Sequence, residues 1–137
     1  MAIRMKAKSY GPVFVVFDGG DDLQYAWSNL SEVTPCPPSQ TPVDTLLASL
    51  GACIVKSVQL IAQQKRVVLN PFVVKVVGAK ALDLPGRVDR MDVTIVGSLV
   101  DDPVLGSEIV TQAKSICTVS NTLTCDVTVS LEADPPE

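Results

Sequence analysis

The connector Pro35-Cys36-Pro37-Pro38-Ser39-Gln40-Thr41-Pro42, followed by an uncharged apolar stretch from Thr45 to Val55, constrains this chain more than any other segment. Proline lacks an amide donor and disfavours helical backbone in the residue before it, so the connector excludes helix and central strand. Thr41 then offers an N-cap oxygen, Pro42 fits the first helical position, and Asp44 favours the positive end of the helix dipole. The spacing predicts a helix to about Arg66. Its front half, Leu46 to Val55, is apolar nearly all round, which predicts burial on every side. Its back half, with Lys56, Gln59, Gln63, Gln64, Lys65 and Arg66, should emerge into solvent. The Thr45–Val55 run is too short to span a bilayer, which needs roughly 20 residues.

Around this helix the pattern alternates between strands and one further helix. Arg4 to Lys8, Val13 to Phe17 and Leu23 to Trp27 read as a meander of about three strands, with turns at Tyr10-Gly11-Pro12 and Asp18-Gly19-Gly20-Asp21-Asp22. Phe72 to Val77 and Val88 to Ser98 are further strands. Asp101-Asp102-Pro103 opens a second helix whose apolar stripe is Leu105, Ile109, Ala113 and Ile116. Leu123 to Glu132 alternates, placing Leu123, Cys125, Val127, Val129 and Leu131 inward. The order is βββ-α-ββ-α-β. It predicts a single α+β domain over 1–137, with helices on one face of a mostly antiparallel sheet and a buried central helix.

The chain is 47% hydrophobic but only 4% aromatic over 137 residues, so the core is aliphatic. That much apolar surface in a short chain implies burial between subunits. A net charge of -4 argues against nucleic acid as a partner, because phosphate neutralisation needs a basic face. Met1-Ala2-Ile3-Arg4-Met5-Lys6 leads into no apolar signal region, and no basic amphipathic helix is present to dock on a membrane. The expectation is a cytoplasmic protein, where scattered cysteines are more often redox-active than structural.

With no histidine in the chain, a thiol is the one strong nucleophile available near neutral pH. The four cysteines lack Cys-x-x-Cys spacing, so no metal site is expected. Cys53 lies mid-helix in Gly51-Ala52-Cys53. Cys117 closes the second helix, where carbonyl dipoles disfavour a thiolate, which makes it the poorer attacking thiol. Cys125 reads as core filler and Cys36 as a loop thiol. Asp44 could help a thiolate only through a cation, and Arg4, Arg66, Arg87 and Arg90 are the arginines on offer. Ser120 and Asn121 should hold the turn after Cys117 by local hydrogen bonds.

The proline-led helix ending in Gly51-Ala52-Cys53 and the run Cys117-Thr118-Val119-Ser120-Asn121-Thr122-Leu123 together resemble the OsmC/Ohr superfamily of osmotically inducible and organic-hydroperoxide-resistance proteins. The likeness covers roughly residues 41–132; the meander of 1–34 agrees in element type. It implies an intertwined homodimer with the central helices at its interface. By position it implies a peroxidatic Cys53 that forms a sulfenic acid and a resolving Cys117 that closes a disulfide. An external dithiol would reduce that disulfide, with no bound cofactor or metal. Two departures stand out. The hydroperoxide-resistance branch carries a glutamate after the helix-starting proline and an arginine in a Gly-Gly-Arg loop. Here Val43 follows Pro42, Asp44 comes one residue later, and the loop reads Gly19-Gly20-Asp21, as in the broader OsmC-like branch.

The reading is a stress-response thiol oxidoreductase with peroxiredoxin-like activity, acting on small lipophilic hydroperoxides or related electrophiles. The alternatives are a non-catalytic dimer that binds a small apolar ligand at its interface and, more weakly, a thiol-disulfide regulator of other proteins.

Overall fold

The computed structural model describes residues 8–132 and is an α+β fold. Strands β1 (Ser9–Phe17) and β2 (Gln24–Trp27) precede the long helix α1 (Pro42–Lys65). Strands β3 (Phe72–Lys80) and β4 (Val88–Val96) follow, then α2 (Pro103–Ile116), a one-turn helix α3 (Thr118–Thr122) and β5 (Asp126–Glu132). One sheet runs β2-β1-β3-β4-β5. Its pairs are antiparallel except β4–β5, which is parallel because α2 and α3 carry the chain back across the sheet before β5.

The two-residue period of each strand sets the faces. Val13, Val15 and Phe17 of β1, Phe72, Val74 and Val76 of β3, and Met91, Val93 and Ile95 of β4 all point into one core. Helix α1 fills it with Leu47, Leu50, Ile54, Val55, Val58 and Ile61, and α2 adds Ile109 and Ala113. Gly51 sets the closeness of helix and sheet. A Cβ there would come within 2.7 Å of Val15 Cγ2 and 3.2 Å of Val76 Cγ2.

The start of α1 is built as the sequence predicts. Thr41 caps the helix by accepting from the Asp44 amide at 3.1 Å, and its hydroxyl donates to Asp44 Oδ2 at 2.9 Å. Asp44 Oδ1 accepts from the Gly11 amide of β1 at 3.0 Å. The helix ends at Arg66, whose φ of 58° lies in the left-handed region. Asp102 caps α2 by accepting from the Val104 amide at 3.0 Å.

Three expectations change, and a fourth lies mostly outside the described residues. Tyr10-Gly11-Pro12 is not a turn: it lies inside β1, where the register against β3 shifts between Tyr10 and Val13. The described residues hold two strands of the meander, and most of the expected Arg4–Lys8 strand, Arg4 included, lies outside them. The segment after Cys117 is helical rather than a simple turn, and β5 begins at Asp126 rather than Leu123. Finally, the front half of α1 is not buried on every side. Leu46, Ser49, Lys56 and Leu60 form an exposed stripe, with Cys53 half-buried along its edge. At 24 residues α1 is long and apolar enough to cross a membrane by length and composition. In this fold its apolar residues pack on the sheet and on α2.

Candidate functional site

Helix α1 brings Cys53 to the junction of α2 and α3, where Cys117 waits. Cys117 is both the C-cap of α2 and the N-cap of α3 and is fully buried; Cys53 is half-buried. The two thiols are neighbours, close enough that Cys53 raises the pKa of Cys117, and both are free. The sequence placed these cysteines 64 positions apart on separate helices, and the packing of α1 against α2 and α3 makes them neighbours.

Burial pushes the Cys117 thiol up to about 11, and the contact with Cys53 adds to the rise. The amides of Ser120 and Val119 pull the other way, although neither closes a regular capping bond to the sulfur. The Cys117 thiolate is therefore disfavoured, and the leading cause is desolvation rather than the carbonyls ending α2. The short helix α3 even turns amides toward the sulfur, an effect that depends on a helix the sequence did not reveal.

A thiol whose folded pKa lies above its unfolded value holds its proton more tightly in the folded chain. Its contribution to stability is whole below the ordinary value of 9.0 and is lost as pH rises toward about 11. Urea midpoints measured from about pH 8 to 11 should fall more steeply for the native chain than for Cys117→Ser, which has nothing to titrate there. Equal slopes would remove Cys117 as the cause.

Asp44 is buried, and both its oxygens are engaged by Gly11 and Thr41, which anchors α1 to β1. Among the described residues it joins no ion pair. Arg87 is held in its own turn by Asp83 at 2.9 Å and by the Pro85 carbonyl at 2.8 Å. Asn121 holds the α2–α3 corner as expected: its side chain donates to the Ser115 carbonyl at 3.0 Å and its amide to the Cys117 carbonyl at 3.0 Å. Ser120 matters here through its amide, not its hydroxyl.

The remaining cysteines lie apart. Cys36 is exposed in the proline-rich connector, where its amide donates to Thr34 Oγ1 at 3.1 Å. Cys125 is half-buried just before β5, its thiol pushed up mainly by burial. Two clefts lie away from the thiol pair. One, of about 550 Å³, runs along the outer side of α2 by Val104 and Thr111; another, of about 280 Å³, lies between Trp27 and Pro37. Among the described residues no cluster of three or more His, Cys, Asp or Glu could hold a metal ion.

The fold recurs among solved structures. An OsmC-like protein from Mycoplasma pneumoniae superposes with a TM-score of 0.60 at 15% identity, covering 98% of this chain and 100% of that one. A hypothetical protein from Aquifex aeolicus VF5 gives 0.59 at 14% identity over the whole of both chains. The organic hydroperoxide resistance protein OhrB of Bacillus subtilis gives 0.56 at 16% identity, covering 94% and 98%. At these identities the likeness is one of fold. No curated protein matches the sequence. The family model described as OsmC-like protein matches residues 37–132, from the proline connector through both cysteines to the end of β5, and this chain belongs to the OsmC-like protein family.

Proposed function

We propose that this chain is a thiol-dependent redox protein that reduces organic hydroperoxides, with Cys53 as the attacking thiol and Cys117 as the resolving one. The observation that carries this reading is the proximity of one half-exposed and one buried thiol on separate helices. Cys53 is reachable from the exposed stripe of α1, and Cys117 is not reachable by any bulky reagent. In the first step Cys53 Sγ attacks the terminal oxygen of the hydroperoxide. An S–O bond forms and the O–O bond breaks, leaving a sulfenic acid and an alcohol. Cys117 then displaces the hydroxyl as water, giving a disulfide that an external dithiol returns to two thiols.

Leu46 and Leu60 border this stripe, which favours a small lipophilic substrate and, across the same surface, a second copy of the chain. The setting proposed is a cytoplasmic homodimer with a role in oxidative stress. A second reading, an apolar-ligand binder without turnover, draws on the same exposed leucines and on the lack of a Gly-Gly-Arg loop. Addition of cumene hydroperoxide to the reduced protein separates the two. The peroxidase reading expects peroxide and free thiols to disappear together, with mass spectrometry locating a Cys53–Cys117 disulfide. Persistent peroxide over reduced thiols would leave the binder.

A further inference from the structure

Attack on a hydroperoxide expels an alkoxide, a strong base whose departure a positioned proton donor near Cys53 would speed. Lys56 follows Cys53 by three residues on α1, a spacing that puts their Cβ atoms roughly 5–6 Å apart on one helix surface. Helical side chains lean toward the N-terminus, so the Lys56 stem lies over the turn that carries Cys53. Lys56 is exposed, and its Nζ donates to the Asp21 carbonyl at 2.8 Å in the loop joining β1 to β2. That contact uses one of three ammonium N–H groups. Among the described residues Lys56 is in no ion pair, although the carboxylates of Asp21 and Asp22 share its loop.

Several other cations among the described residues are engaged or placed elsewhere. Arg87 and Arg90 pair with Asp83 and Asp92. Lys65 lies near Glu108 at 3.9 Å, and Arg66 caps the far end of α1, about 20 Å along the helix from Cys53. Lys114 is exposed in the last turn of α2, on the Cys117 side of the pair.

We infer that Lys56 is the proton donor to the departing alkoxide, an assignment that rests on the peroxidase reading of Cys53. Cys53 first loses its proton to solvent, and the resulting thiolate gives an electron pair to the terminal peroxide oxygen, which keeps its hydrogen as S–OH. The O–O pair leaves with the alkoxide, the alkoxide takes a proton from the Lys56 ammonium, and solvent returns one to the amine.

The test compares Lys56→Met with the native chain against three reagents, following Cys53 by peptide mass spectrometry. With cumene hydroperoxide the rate should fall about a hundredfold or more, within the usual range for a general acid. With peracetic acid, whose carboxylate leaves without a proton, and with iodoacetamide, which expels iodide, the rates should stay within about twofold. An equal loss with all three reagents, or no loss with cumene hydroperoxide, overturns the assignment. A native chain inert to cumene hydroperoxide overturns the peroxidase reading itself, whatever Lys56→Met does.

Discussion

Cys53→Ser is expected to bring peroxide consumption down to the rate in buffer, while Cys117→Ser oxidises Cys53 once and then fails to cycle. The asymmetry follows from the setting of each thiol. A serine hydroxyl is a poor nucleophile without an adjacent base, and no histidine exists in the chain to supply one. Cys117 cannot take over, because it has no exposed surface and burial holds its thiol protonated up to about 11. When Cys117 is replaced instead, Cys53 still meets the peroxide, but the sulfenic acid has no neighbour to condense with. It should be trapped by dimedone, and excess peroxide should drive it on to the sulfinic acid. Dithiol-driven turnover that survives Cys53→Ser would remove Cys53 as the attacking residue. Undiminished cycling by Cys117→Ser would remove Cys117 as the resolver.

Much of this arrangement is legible in the sequence because local rules and the final fold agree. The cap at Thr41, Pro42 at the first helical position and the end of α1 near Arg66 follow from short-range chemistry that tertiary packing leaves intact. The faces of β4 follow from its alternation of apolar and polar residues. What fails is what depends on distant partners. Gly11 and Pro12 spell a turn, yet the Gly11 amide is claimed by Asp44, 33 residues away, and the segment stays in β1. The uniform apolar character of Leu46 to Val55 cannot say which side is left open, because the sheet and α2 decide that. The helical turn over Thr118–Thr122 has no hydrophobic period to announce it, and with it were hidden the amides that face Cys117. Lys56 reads as an ordinary solvated residue until its bond to the Asp21 carbonyl appears.

Leu47→Ala should destabilise the fold by about 3–5 kcal/mol, the upper part of the range for a buried leucine truncation. Leu47 has no exposed surface, and its two methyl groups sit where Gly11 and Gly78 carry no side chain. A Cβ on Gly11 would lie 3.3 Å from Leu47 Cδ1, and one on Gly78 would lie 3.3 Å from Leu47 Cδ2. The walls of this site are therefore backbone from two adjacent strands, β1 and β3, paired through Tyr10 and Gly78. Backbone held in a sheet ladder relaxes less into a cavity than side chains do, so most of the lost volume should remain as void. Against a typical total stability of about 5–15 kcal/mol, such a loss brings a small domain close to unfolding at ambient temperature. Leu82→Ala is the matched control: that side chain is 64% exposed, and its truncation should change stability by less than about 0.5 kcal/mol. Urea unfolding monitored by Trp27 fluorescence measures both. A Leu47→Ala midpoint within error of the Leu82→Ala midpoint, at unchanged denaturant slope, would mean that α1 does not close on β1 and β3 through Leu47.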